Sequence, residues 1–158
     1  MINSPVEFSI LVVEDDEVDQ RIIKSKLEQV ISNFRVDFAE SLSTANELLR
    51  AKKYDAIITD LKLPDSYDFE INLDINTEKT PLIVVSGYDQ ENIPYRMGLS
   101  GASAFVNKSE LMSSGFVDQL LCLIGKAQRV KNLKRKRKDK ILSNMQRLQQ
   151  GCLRSAMA

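Results

Sequence analysis

Short apolar runs alternate with longer amphipathic stretches along most of the chain. The apolar runs have the continuity of strands buried in a parallel sheet, and the amphipathic stretches space their apolar residues for one face of a helix. This alternation predicts βα units on a parallel sheet. The predicted strands are Phe8–Val13, Val36–Ala39, Ala56–Thr59, Leu82–Val85 and Ala104–Val106.

Five helices are predicted around this sheet. Asp16 and Ser41 precede the first two, and both residue types cap helix N-termini. The third helix is expected within Asp68–Glu78, where its apolar pattern is weak. The fourth is expected near Glu91–Leu99, where Pro94 fits only a first helical turn.

The final helix is predicted to start after Ser109 as its cap and to run past the domain, since neither Pro nor Gly occurs from Lys126 to Gln150. Residues 1–125 hold 11 basic and 21 acidic residues, whereas residues 126–158 hold 11 basic residues and one acidic residue. We therefore expect a domain at 1–125 and a basic, helical C-terminal extension or linker at 126–158 with a separate role.

Composition and length limit the possible classes of protein. At 158 residues, with 43% hydrophobic and 28% charged residues, the chain has the composition of a globular protein. Nothing at its start resembles a signal peptide, and no apolar run approaches the roughly 18 residues that cross a bilayer. Cys122 and Cys152 are expected to be reduced. We therefore expect a cytoplasmic protein without a disulfide framework.

Histidine is absent from the sequence. Its absence excludes histidine nucleophiles, histidine metal sites and a phosphohistidine on this chain. Any phosphoryl donor that uses histidine must therefore be another molecule.

Polar groups follow four of the predicted strands. Glu14 and Asp15 follow the first strand, Asp60 the third, Ser86 the fourth and Lys108 the fifth. Ligands of an open parallel sheet bind at the carboxyl ends of its strands, so these groups are expected to form one site. Clustered carboxylates favour a hard divalent cation such as Mg²⁺ between them. An aspartate beside such an ion and a lysine is equipped to accept a phosphoryl group.

These residues, in this order, resemble the receiver domain of two-component response regulators. The resemblance covers about residues 7–125 and is carried by the segments VVEDD, ITDLKLPD, VVSGYD and GASAFVNKS. It implies a flavodoxin-like, doubly wound α/β fold with five parallel strands in the order 2-1-3-4-5 and five helices, the last extended into the basic tail.

The resemblance also implies a role for each site residue. Asp60 would accept a phosphoryl group from a histidine kinase, a histidine phosphotransfer protein or a small phosphodonor. Asp15 and Asp60 would ligate Mg²⁺ directly, Glu14 would do so through water, and the main-chain carbonyl of Lys62 would complete the set. The cofactor would thus be Mg²⁺.

Three further residues would carry the phosphoryl contacts and the switch. The Ser86 hydroxyl and the Lys108 ammonium would each contact a phosphoryl oxygen. Phe105 would follow Ser86 by changing its rotamer. Output would pass to a downstream protein or a dimer through the face of the fourth helix, fifth strand and fifth helix.

The function expected from this resemblance is a phosphorylation-dependent signalling switch. Such a switch would not be a turnover enzyme, although it would catalyse its own phosphorylation and dephosphorylation. One alternative is a degenerate receiver that binds a partner constitutively, and another is the receiver part of a longer regulator with its effector domain elsewhere. An aspartyl phosphatase of related architecture would need a second acid at the position of Lys62.

Two departures from the family pattern leave local structure open. Ser109 follows Lys108 where the family usually has proline, so this bond is either a non-proline cis bond, costing about 2.5–4 kcal/mol, or trans. No glycine closely follows Pro64, which leaves the third helix open to displacement. Neither departure removes a chemical group of the site.

The basic tail leaves several partners open. The run Lys134–Lys138 suits nucleic acid or an anionic membrane, a partner protein or dimer, or a solvated helix that docks back on the acidic domain. No aromatic residue occurs in 117–158, which argues against stacking on single-stranded bases. A seven-residue register runs through the tail, but Lys131, Lys134 and Lys138 interrupt it and argue against a continuous coiled-coil seam.

Overall fold

Residues 7–67, 70–87, 98 and 101–157 are described by the computed structural model of the protein. The strands are β1 (Phe8–Val13), β2 (Phe34–Ala39), β3 (Ala56–Asp60), β4 (Leu82–Ser86) and β5 (Ala104–Asn107). They form one parallel sheet in the order β2-β1-β3-β4-β5, which confirms the predicted sheet and strand order. β2 begins two residues before its predicted start, and β3, β4 and β5 each run one residue past their predicted ends.

The central strands owe their near-continuous apolar sequences to burial on both faces. Every residue of β1, β3 and β4 is buried, whereas the edge strands β2 and β5 are partly exposed. In the register of the sheet, Val13 pairs with Thr59 and Asp60 pairs with Val85. This register places the carboxyl ends of the three central strands side by side, at the edge where polar residues follow them.

The first two helices begin where their caps predict. The Asp16 side chain accepts hydrogen bonds from the N–H groups of Val18 and Asp19 at the start of α1 (Glu17–Val30). The Ser41 side chain accepts from the N–H of Thr44 at the start of α2 (Leu42–Ala51). These bonds satisfy N–H groups that have no partner inside the helix, and both predicted caps are confirmed.

Alternate residues of the central strands fill two separate cores. Ile10 and Val12 of β1 pack with buried residues of α1 on one face of the sheet, whereas Leu11 and Val13 pack with residues of α2 on the other. Successive strand side chains point to opposite faces, so one strand serves both layers. The result is the doubly wound α/β arrangement that the resemblance implies.

The described part of the chain contains three α-helices rather than the five predicted. The third predicted helix is wrong, because residues 70–78 contain no helix. The Asn46 amide of α2 instead donates to the carbonyl of Asn72 at 3.0 Å and accepts from the N–H of Asp74 at 2.9 Å. A side chain of α2 thus satisfies backbone groups that a helix would pair internally. The fourth predicted helix, Glu91–Leu99, lies almost wholly outside the described residues.

The last helix, α3 (Ser114–Ala156), begins later than predicted. Ser109 is not its cap but lies in a short 3-10 helix, Lys108–Glu110, where its N–H donates to the Asn107 side chain at 2.9 Å. By their contacts the residues divide into two compact units, Met1–Ala127 and Gln128–Ala158. No helix in the described ranges combines the length and apolar character needed to span a bilayer.

Candidate functional site

Three carboxylates come together at the carboxyl end of the sheet. Glu14 and Asp15 follow β1, Asp60 ends β3, and one oxygen from each lies within 4.8 Å of the others. Glu14 and Asp60 are buried, whereas Asp15 is exposed. The strand register explains the cluster, since parallel neighbours deliver their next residues to one edge. The structure therefore brings together the three acids proposed from the sequence.

Lys108 joins this cluster from the end of β5. Its Nζ lies 2.8 Å from Oδ2 of Asp60 and 2.9 Å from Oε2 of Glu14. A third carboxylate, Asp19 in the first turn of α1, lies 2.8 Å from the same Nζ. Asp19 was not predicted as a site residue, although α1 begins two residues after Asp15 and its first turn therefore lies at the same end of the sheet.

Backbone and amide donors fix the buried acids. The N–H of Lys62 donates to Oδ1 of Asp60, and the N–H of Asp16 donates to Oε1 of Glu14, each at 3.0 Å. The Gln20 amide donates to the main-chain carbonyl of Glu14 at 2.7 Å. One oxygen of each buried carboxylate is thus held by a backbone N–H and the other by the ion pair with Lys108.

Burial and the neighbouring charges shift two pKa values in this cluster. Burial raises the pKa of Glu14 to about 7, against the opposing effects of the Asp16 N–H and the Lys108 ammonium. Burial alone would lower the pKa of Lys108, but its contacts with Asp19, Asp60 and Glu14 raise this pKa above its ordinary value. Lys108 is therefore charged at neutral pH, while ionisation of Glu14 is held back in the absence of further positive charge.

A pocket of about 220 Å³ opens beside the cluster. The described residues that line it are Asp60, Lys62, Gly87 and Lys108. A Cβ at Gly87 would stand 4.0 Å from the Lys108 side chain, so this glycine borders the lysine without crowding it. The pocket gives a small molecule access to the Asp60 carboxylate and to the ammonium that pairs with it.

Two predicted residues lie nearby without lining this pocket. Ser86 is the last residue of β4 and is fully buried. Phe105 in β5 is partly buried and packs against the core on the α2 side of the sheet. The roles of Ser86 in phosphoryl contact, of Phe105 as a switch and of the Lys62 carbonyl as a metal ligand stay predictions. The Lys108–Ser109 bond is trans, as are the other peptide bonds of the described residues.

The donor set fits a hard divalent cation. Glu14, Asp15 and Asp60 supply only carboxylate oxygens, the ligands that Mg²⁺ prefers. Oε2 of Glu14 is buried and accepts no hydrogen bond of good geometry from the described residues, although the Lys108 ammonium lies close by. One ammonium does not balance this group of acids, so additional positive charge would be stabilised here.

The sequence profile of the response regulator receiver domain matches residues 10–114, which include all of these site residues. The chain belongs to this family. A receiver domain is a component of two-component signalling, so the resemblance found in the strand-end motifs is confirmed.

Curated relatives and solved structures agree with this assignment. The chain is 30% identical over 112 residues to the aerobic respiration control sensor protein ArcB of Escherichia coli; the match covers 71% of this chain and 13% of ArcB. The chain therefore spans about an eighth of the length of that relative. The receiver domain of a LuxO repressor protein from Vibrio parahaemolyticus superposes with a TM-score of 0.65 at 23% identity, covering 82% of this chain and 96% of that one. The non-phosphorylated HemR receiver domain from Leptospira biflexa gives a TM-score of 0.54 at 27% identity, covering 77% and 92%.

Proposed function

We propose that this receiver is a phosphorylation-dependent switch whose phosphoacceptor is Asp60. The observation that carries the proposal is the setting of the Asp60 carboxylate. Its Oδ1 accepts the Lys62 N–H and its Oδ2 pairs with Lys108, and all three residues line one pocket. A fixed carboxylate beside a cation and an open pocket is suited to in-line attack on a phosphoryl donor.

In the proposed reaction, an Asp60 oxygen forms a new P–O bond while the bond from phosphorus to the donor breaks. The donor takes the electron pair of the broken bond, and the product is an aspartyl phosphate. Lys108 would exchange its contact with Oδ2 for one with a phosphoryl oxygen, and the Ser86 hydroxyl would donate to another. Water would later attack the phosphorus, the P–O bond to Asp60 would break with its electron pair on the carboxylate, and inorganic phosphate would leave. Asp60 would then be ready to accept another phosphoryl group.

Mg²⁺ is the proposed cofactor. Glu14, Asp15 and Asp60, with the main-chain carbonyl of Lys62, are the groups that would hold it. When bound, it would neutralise charge on the phosphoryl oxygens. The protein's own contribution is to keep these acids clustered and to hold the Glu14 and Asp60 carboxylates in place through backbone N–H groups.

A histidine kinase or histidine phosphotransfer protein is the proposed donor, because the chain is a two-component receiver and is similar to part of the sensor protein ArcB. A phosphorylated Asp60 would change the packing of Phe105 in β5 and so alter a protein-binding face built from β5 and its flanking helices. The switch would therefore act through protein contact.

Intact-protein mass spectrometry after incubation with acetyl phosphate and Mg²⁺ tests this proposal. The wild type is expected to gain one phosphoryl group, and EDTA or Asp60→Asn is expected to prevent the gain. Asp74→Asn is the matched control, because Asp74 is an exposed acid paired with Arg50 away from the site. Labelling of Asp60→Asn equal to that of the wild type would overturn the assignment.

A further inference from the structure

Among the described residues, Asp19 is the ion-pair partner of Lys108 that lies outside the carboxylate cluster of Glu14, Asp15 and Asp60. Its backbone N–H donates to the Asp16 side chain at 3.0 Å, which fixes the first turn of α1. Asp19 and Lys108 are each 23% exposed at the side chain, so their contact is partly shielded from water. A capped helix therefore presents this carboxylate to the ammonium from a fixed position.

The other two partners of Lys108 have competing tasks in the proposed reaction. Glu14 and Asp60 belong to the cluster that would hold a cation, and Asp60 would form the new bond to phosphorus. The ion pairs of Glu14 and Asp60 with Lys108 must weaken when these carboxylates bind the cation and when Asp60 bonds to phosphorus. Asp19 has neither task, so its pair with Lys108 can persist throughout.

We propose that Asp19 is a positioning residue that holds the Lys108 ammonium at the pocket while Glu14 and Asp60 exchange ligands. This inference rests on the proposed function of Asp60. Asp19 also draws the ammonium away from the acids that a divalent cation must occupy, so it eases cation binding as well as phosphoryl transfer.

Two measurements on the full chain test the role of Asp19: the rate of phosphoryl gain from acetyl phosphate, and Mg²⁺ affinity by calorimetry. Asp19→Asn is expected to lower the rate about tenfold, because the Lys108 ammonium loses the carboxylate that orients it. It is also expected to weaken Mg²⁺ binding, and Asp19→Glu should restore part of both. Glu17→Gln is the matched control, because Glu17 is an acid in the same turn that pairs with Arg21 instead.

A double-mutant cycle separates positioning from a general structural role. In a Lys108→Met background, Asp19→Asn is expected to change neither the rate nor the Mg²⁺ affinity further. An equal loss in both backgrounds, or effects of Asp19→Asn no larger than those of Glu17→Gln, would overturn the inference. Because Mg²⁺ affinity requires no phosphoryl transfer, a wild type that gains no phosphoryl group would contradict the proposed function while the binding data still decide the role of Asp19.

A second, independent observation concerns the unit Gln128–Ala158. Ile141, Met145, Leu148 and Cys152 follow the four-three-four spacing of one helix face, and Ile141 and Leu148 are 60% and 71% exposed. A row of cations runs along a different side of the same turns, spaced by seven residues: Lys140, Arg147 and Arg154. The turns before them carry the basic run Lys134–Lys138, which is exposed throughout. This part of α3 is therefore a basic amphipathic helix.

Charge and shape favour one partner for this helix. A second parallel copy would bring Lys131, Lys134 and Lys138 face to face in the row that Ile141 continues, which is repulsive. Nucleic acid would match the basic run but would leave the apolar row in water, and residues 117–158 offer no aromatic side chain for stacking. An anionic bilayer surface accepts both features, since lipid headgroups attract the cations and the acyl boundary accepts the apolar row.

We infer that residues 129–157 bind an anionic lipid surface and lie in its plane. Flotation of the full chain with phosphatidylcholine vesicles, with and without phosphatidylglycerol, tests this. Binding is expected only to the anionic vesicles. Replacing the five residues of Lys134–Lys138 by glutamine should weaken it by about three orders of magnitude, and M145Q/L148Q about tenfold. The matched control S143Q/Q146N changes the polar side and should bind like the wild type.

Circular dichroism shows whether the variants retain their helix. Absence of binding to anionic vesicles would overturn the inference. The inference would also be overturned if the chain bound a short DNA duplex more tightly than the anionic vesicles and M145Q/L148Q did not change the affinity for DNA. A dimer in light scattering that M145Q/L148Q dissociates, without vesicle binding, would show instead that a second copy covers the apolar row.

Discussion

Nζ of Lys108 lies 2.8 Å from Oδ2 of Asp60, and both residues line the same pocket. The ammonium thus balances part of the negative charge that Glu14 and Asp60 place in a buried site. A divalent cation bound by these carboxylates would take the place of Lys108, and the ammonium would then be free to contact a phosphoryl oxygen. This exchange connects the ion pair seen in the structure with the proposed chemistry.

The first prediction concerns the charge balance of the site. Lys108→Met removes the cation that three carboxylates share, so we expect a loss of about 2 kcal/mol in the free energy of unfolding when metal is absent. Mg²⁺ should recover much of this loss, because it supplies positive charge to the same acids. Urea unfolding of the variant and the wild type in EDTA and in Mg²⁺ measures both effects. A loss of equal size in the two buffers would contradict this account of the cluster.

The second prediction concerns pH and the pair Asp37–Tyr54. The Tyr54 hydroxyl donates to Asp37 at 2.6 Å, and Lys52 lies 3.0 Å from the same oxygen. The Tyr54 hydrogen bond, followed by Lys52, holds the pKa of Asp37 below its usual value. The ionised Asp37 therefore stabilises the folded state above its unfolded pKa of about 3.9, and this stabilisation is lost as the pH falls through its lower pKa in the folded state.

Asp37→Asn removes this contribution. We expect the variant to be less stable than the wild type by about 1–2 kcal/mol at pH 7, with a difference that shrinks below about pH 4. Urea unfolding across this pH range measures the difference. A gap that stays constant down to pH 3 would show that Asp37 acts through packing alone.

The third prediction concerns the segment after β3. Asn46→Ala removes two hydrogen bonds to the backbone of residues 72 and 74, so amide hydrogen exchange in 70–78 should accelerate. The expected cost in stability is about 1 kcal/mol. Asn144→Ala serves as a control, since Asn144 lies in the exposed part of α3. Unchanged protection of 70–78 would mean that other contacts hold this segment.

The sheet and most of the site could be predicted because their signals are local in sequence. The apolar runs define the strands, and the polar residues directly after them mark the edge where Glu14, Asp15, Asp60 and Lys108 meet. Asp19 gave no such signal, because its approach to Lys108 depends on how α1 is oriented on the sheet.

The helices were less predictable where long-range contacts compete with local pattern. The Asn46 side chain of α2 forms hydrogen bonds with backbone groups of the predicted third helix. No pattern within Asp68–Glu78 indicates these bonds. Asn107 caps a 3-10 helix at Lys108, so Ser109 does not begin the last helix. In both places a side chain satisfied backbone groups in a way that apolar periodicity does not record.

The central claim is that Asp60 accepts the phosphoryl group, and locating the modified residue tests it most directly. Borohydride reduces an aspartyl phosphate to homoserine, so the chain is treated with acetyl phosphate and Mg²⁺, reduced, digested and sequenced by tandem mass spectrometry. We predict homoserine at position 60 and none when Mg²⁺ is withheld. Homoserine at Asp15 or another acid, with Asp60 unmodified, would contradict the account.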